Sequence, residues 1–204
     1  SNHRTGLVAR DFGPIPIPHL LLTTDGGYTW AQINLPEPEP GFFENFYCGT
    51  SSLQRLCERG AAVVMNCAEV IPTGAHRAFL YSSADMGASW SWEPLPEPVW
   101  PSEWRNIGSS TEIQWLNPTT GWMFVLAYYE LPDSTNGLNA TQIYQTQDGG
   151  VSWQAKGLTY WRGQFSFASN NEGFAIARQN LDSSLVVTLN SGLSWGILEP
   201  VSDR

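Results

Sequence analysis

Apolar positions along this chain come in short bursts. Leu20-Leu21-Leu22, residues 61–68, Phe79-Leu80-Tyr81, residues 122–129 and Leu185-Val186-Val187 each have Gly, Pro, Asn, Asp or Ser within a few residues of their ends. Bursts of this length between turn formers predict strands. One eight-residue stretch punctuates them four times: Thr23-Thr24-Asp25-Gly26-Gly27-Tyr28-Thr29-Trp30, then residues 83–90, 146–153 and 188–195. The shared pattern is Ser/Thr-x-Asp/Asn-x-Gly-x-Ser/Thr-Trp. The fixed positions are Thr23, Asp25, Gly27 and Trp30; Ser83, Asp85, Gly87 and Trp90; Thr146, Asp148, Gly150 and Trp153; Thr188, Asn190, Gly192 and Trp195. Each copy sits between two strand-like segments, so it predicts a hairpin turn. The acid or amide accepts backbone N–H groups, the glycine takes a positive φ, and the tryptophan anchors the turn on the sheet. These roles are structural; the competing reading makes Asp25, Asp85 and Asp148 catalytic acids or metal ligands.

Counting outward from the turns predicts about fifteen strands, in groups of three, four, four and four. The third group is expected at 112–116, 122–129, 141–146 and 151–156, and the fourth at 164–168, 174–178, 185–188 and 193–198. In the second group, 42–47 and 60–68 are the first two strands, residues 48–59 form a loop or helical turn between them, and 78–82 and 89–93 follow. The first group starts at Gly6 with no innermost strand before it. The third positions of the turns are separated by 60, 63 and 42 residues, the spacing of four-stranded propeller blades. The predicted class is therefore all-β: one domain, 1–204, with four blades at about 1–36, 41–96, 104–158 and 161–200. It is expected to belong to a larger propeller or to be completed by a partner, because an open arc exposes an apolar sheet edge. The proline-rich stretches 35–40 and 95–98 read as stiff connectors between blades.

The repeat resembles the Asp-box, or BNR repeat, of sialidases, sortilin-type receptors, xyloglucanases and the photosystem II assembly-factor family. That resemblance implies a β-propeller whose Asp-boxes join the third and fourth strands of each blade, at the periphery and away from the active site. The pairs Gly121-Trp122 and Gly173-Phe174 opening the second strands are also a habit of the assembly-factor repeats. Ligands of sialidase-like propellers bind on the face opposite the boxes.

Composition narrows the function. The 204 residues carry a net charge of −9, with nine arginines and the single lysine Lys156, which argues against nucleic acid and anionic membranes as partners. No run of 18 apolar residues predicts a transmembrane segment, and no leader is legible. Of Cys48, Cys57 and Cys67, the first two bracket a polar loop and are the expected disulfide in an extracytoplasmic compartment. Cys67 then reads as a buried free thiol. No metal or cofactor site is expected.

Glu69, Glu130 and Asp182 each stand nine residues after a glycine (Gly60, Gly121, Gly173) and are candidates for a rim on the ligand face; the alternative is acidic loops in an acidic protein. Trp92, Trp100, Trp104 and Trp161 lie near blade junctions, where they either stack on sugars or fill the wedge between blades. Resemblance to sialidases would imply three clustered arginines; Arg55, Arg77, Arg105, Arg162 and Arg178 are scattered, and Gly13-Pro14-Ile15-Pro16 lacks the arginine of the expected motif. Asn139-Ala140-Thr141 matches an N-glycosylation sequon, read as lying in a polar loop. The expected function is a non-catalytic, extracytoplasmic binding or assembly module for a protein partner or a glycan. The alternatives are a carbohydrate-active propeller, of glycoside hydrolase type if an enzyme, and a membrane-complex assembly factor.

Overall fold

The computed structural model describes residues 4–10, 19–56, 60–69, 76–98, 100, 105–130, 138–179 and 182–199. It is all-β apart from one helical turn, α1 (Phe42–Asn45). Four antiparallel sheets follow one another, each with its strands in chain order. They are β1 (Gly6–Arg10), β2 (His19–Thr23) and β3 (Ala31–Ile33); β4 (Phe46–Leu56), β5 (Gly60–Glu69), β6 (His76–Ser83) and β7 (Ser91–Pro94); β8 (Arg105–Trp115), β9 (Gly121–Glu130), β10 (Leu138–Thr146) and β11 (Gln154–Thr159); and β12 (Arg162–Phe167), β13 (Gly173–Gln179), β14 (Asp182–Thr188) and β15 (Gly196–Ile197). Such up-and-down sheets are the building unit of propellers. By packing, the chain divides into two units, Ser1–Glu97 and Pro98–Arg204.

The first unit holds the sheets β1–β3 and β4–β7. Its core gathers Leu20, Leu35, Phe42, Phe43, Phe46, Val63, Met65, Phe79 and Tyr81. Phe42 stacks on Phe46 at 4.3 Å and meets Phe79 edge-on at 5.3 Å, which explains why residues 42–45 turn as a helix instead of starting the expected strand: the turn delivers both rings to the core. The strand begins at Phe46 and runs to Leu56, through the described part of the stretch expected as a loop or helical turn. Cys48 and Cys67 are direct partners across β4 and β5 and form the disulfide. This corrects the Cys48–Cys57 pairing and the free thiol at Cys67; Cys57 lies outside the described residues. The polar run Gly49-Thr50-Ser51-Ser52 is a strand because β5 pairs with it, with a bulge between Thr50 and Ser52.

The second unit holds β8–β11 and β12–β15, and its core forms where these sheets face each other. Trp122 stacks on Phe167 at 4.0 Å and Phe124 on Phe165 at 4.4 Å, with Ile143 buried beside them. Strand alternation fixes this: Trp122 and Phe124 are two apart on β9, Phe165 and Phe167 two apart on β12. The sequon also changes place, since Asn139 and Thr141 lie in β10 and Thr141 is buried.

Candidate functional site

The four repeated turns share one hydrogen-bond pattern. In the first, Thr23 Oγ1 accepts the Gly27 N–H at 2.8 Å and donates to Asp25 Oδ1 at 2.8 Å. Asp25 Oδ1 also accepts the Thr29 N–H at 3.0 Å, and Oδ2 accepts the Thr29 hydroxyl at 2.6 Å. Asp85 and Asp148 repeat these bonds. The Ser or Thr hydroxyl two residues before the next strand, then the backbone N–H beside it, hold all three carboxyls at about 2. A carboxylate so engaged within its own turn is a fastener, not a proton donor at neutral pH. The fourth turn substitutes Asn190, whose Oδ1 accepts the Ser194 N–H at 3.0 Å and whose Nδ2 donates to Ser194 Oγ at 2.8 Å. Two successive residues in every turn have positive φ: Gly26 and Gly27, Met86 and Gly87, Gly149 and Gly150, Ser191 and Gly192. The repeat pattern exposes only the second of each pair. The tryptophans also divide, Trp30 and Trp90 donating to the carbonyls of Gly27 and Gly87 at 3.1 and 3.0 Å, whereas the buried indole N–H groups of Trp153 and Trp195 have no protein acceptor.

The proposed rim of Glu69, Glu130 and Asp182 does not survive the strand registers as a set of equivalent positions. The residue opposite the first hydroxyl of each turn is Gly6, Ala61, Gly121 and Gly173, so Glu69 is eight positions along and Glu130 nine. Asp182 is not on the second strand at all: β13 ends at Gln179, and Asp182 opens β14 opposite Gln179. The side chain of Glu130 lies outside the described residues. Among the described residues, no three His, Cys, Asp or Glu groups come together as a metal site.

One of the three acids does line a groove. In the second unit an open cleft of about 260 Å³ is bounded by Trp161, Trp195, Gln179, Asp182, Ser184 and Val186. Register explains the lining: Gln179 pairs with Asp182, Ala177 with Ser184 and Ala175 with Val186, so these side chains share the face of the sheet that carries Phe165 and Phe167. Trp161 sits in the short crossing from β11 to β12. Its carbonyl accepts hydroxyl bonds from Thr141 at 2.9 Å and Thr159 at 3.1 Å, both threonines buried. Its ring lies over Phe165 at 5.3 Å and meets Trp195 edge-on at 5.8 Å. Gly163 permits this, since a Cβ there would come within 2.9 Å of the Trp161 ring. The groove thus joins half-buried indole walls to an exposed carboxylate, amide and hydroxyl, the combination that receives the apolar face and hydroxyls of a sugar.

The other sequence candidates lie elsewhere. Trp92 packs edge-on against Phe79 at 5.8 Å, on the core of the first unit. Trp100 is half-buried and Trp104 is outside the described residues. Arg77 pairs with Glu39 at 3.3 Å and lies over the Phe46 ring at 5.3 Å; the side chains of Arg55 and Arg105 are not among those described. A second cleft of about 200 Å³, in the first unit, is walled by Leu7, Leu53, Ala61 and Met86 and offers less polar chemistry. Sequence reasoning singled out Trp161 and Asp182 separately. Gln179, Ser184 and Trp195 were missed as groove residues, because nothing along the chain marks the face they share.

No helix of the described residues is long and apolar enough to cross a membrane. No family model matches the sequence, and no curated protein matches it. Among solved structures, the chain is similar to a polysaccharide lyase of a new family, an ulvan lyase bound to GlcA(1-4)Rha3S, with a TM-score of 0.58 and 12% identity. The match covers 95% of this chain and 54% of the lyase chain, so this chain spans about half the length of that structure. At that identity the likeness establishes the fold, which is of β-propeller type.

Proposed function

We propose that this chain is the saccharide-binding part of a carbohydrate-active β-propeller of the Asp-box kind, working outside the cytoplasm. The observation that carries the proposal is the groove on β12–β15, where the Trp161 and Trp195 rings stand beside Asp182, Gln179 and Ser184. The similar solved structure is that of a polysaccharide lyase, which supports a saccharide ligand. The Cys48–Cys67 disulfide supports an oxidising compartment, and the four turns support the Asp-box assignment. The turn carboxylates are engaged in structural bonds, and the role proposed for the groove residues is holding a glycan chain. The test is a glycan array followed by calorimetry on Trp161→Ala and Asp182→Ala, with glycosidase and lyase substrates assayed alongside. Loss of oligosaccharide affinity by tenfold or more in both variants is expected. A wild-type protein that binds no glycan, or variants that bind as well as wild type, would sink the reading.

A second reading, as an assembly module, draws on a different observation. On β9 and β10, Trp122, Phe124 and Ile143 are 0%, 6% and 0% exposed beneath the aromatic rings of β12. Their counterparts in the last sheet, Phe174, Ile176 and Leu185, are 41%, 41% and 45% exposed. That face has the composition of one covered by a further sheet.

A further inference from the structure

Arg162 and Arg178 look scattered in sequence, but they are direct partners across β12 and β13. Ser183 is the partner of Arg178 on β14. The three side chains therefore form one row across the sheet, on the face opposite the tryptophan groove and at the end where β13 turns into β14. Both arginines are exposed. Among the described residues neither forms an ion pair; the one present there joins Arg77 to Glu39. Guanidiniums directly opposite each other on neighbouring strands, with Cβ atoms about 5 Å apart, repel. This pairing stands out in a chain of net charge −9 with ten basic residues in all. An anion between them removes the repulsion, and the planar donor fork of arginine fits a carboxylate or sulfate through paired N–H bonds.

We infer that Arg162 and Arg178 form an anion subsite, with the Ser183 hydroxyl as a further donor, for the carboxylate or sulfate ester of an acidic saccharide. The inference rests on the saccharide-binding reading and adds a ligand class to it: uronic-acid or sulfated glycans over neutral ones. The arginines stay reachable when a further sheet stacks on this face: the counterparts of Arg162 and Arg178, Ser110 and Leu126, are half-buried although β12–β15 stacks beside them, whereas that of Ser183, Thr141, is buried.

The test titrates glucuronate, inorganic sulfate and a neutral oligosaccharide into the wild type, Arg162→Gln, Arg178→Gln and Trp161→Ala, followed by NMR of the backbone amide and arginine side-chain N–H signals. Glucuronate and sulfate are expected to bind the wild type, more weakly as salt is added, and at least tenfold more weakly to either glutamine variant; neutral-sugar binding is unchanged in those two. Each glutamine variant relieves like-charge repulsion, so its melting temperature should not fall, which separates lost binding from lost folding. Equal anion affinity in wild type and glutamine variants overturns the subsite, and the groove then stands or falls on Trp161→Ala alone. If Trp161→Ala binds neutral sugar like wild type while the glutamine variants lose glucuronate, the groove fails and the subsite stands. No binding of either anion by the wild type also overturns it.

Discussion

Asp25, Asp85 and Asp148 each spend both carboxylate oxygens on their own turn, and this gives the protein an acid limit. Their carboxyls sit at about 2 in the folded chain against an ordinary 3.8. Because the folded value is the lower one, their contribution is fully present above about pH 4 and is lost as pH falls from there through about 2. Melting temperature is accordingly expected to drop steadily across that window, read by thermal melts from pH 5 down to pH 2. Asp148→Asn should flatten the drop by one residue's share while folding normally at neutral pH, since Asn190 already performs the role with an amide. A melting temperature that stays level down to pH 2 would contradict the assignment. These roles are legible in sequence, because an Asx side chain followed by a glycine and a hydroxyl at fixed offsets defines its own local bonds. The positive φ of Met86 and Ser191 is not legible, since neither residue type asks for it.

At the scale of elements, strands with their own apolar signature were recoverable and one strand without it was not. Residues 122–129 and 174–178 fall within β9 and β13. Residues 48–59 read as a loop or helical turn because they carry no apolar run, yet β5 imposes a ladder on 48–56 and with it the Cys48–Cys67 contact. Closing the 19-residue separation should contribute about 3 kcal/mol by restricting the unfolded chain. Cys67→Ser is therefore expected to lose stability of that order in a urea titration. Peptide mapping without reductant should recover Cys48 joined to Cys67; a Cys48–Cys57 peptide would refute the pairing. Nor are the rim acids equivalent by register: counting nine residues from a glycine presumes strands of equal length, and β13 ends at Gln179 while β9 continues to Glu130.

On the scale of the whole molecule, the exposed Phe174, Ile176 and Leu185 set an expectation about association. Burying three such side chains from about half exposure is worth a few kcal/mol at roughly 25 cal/mol per Å². Sedimentation of the purified chain should show a particle heavier than 22.6 kDa, and Ile176→Glu with Leu185→Glu should return it to that mass. A wild type that sediments at 22.6 kDa across the accessible concentration range would remove the assembly reading and leave the groove untouched.

The sequence by itself determined the all-β class, the four turns, the grouping of strands by three, four, four and four apart from the extent of β4, and the bonding role of each turn carboxylate, because these depend on contacts within eight residues or on alternation along one strand. Only the tertiary structure decided which cysteines join, which tryptophans wall a groove rather than fill a core, and that two distant arginines stand side by side. Those outcomes depend on strand register, a property of pairs of segments, and one residue of slip moves every side chain to the opposite face.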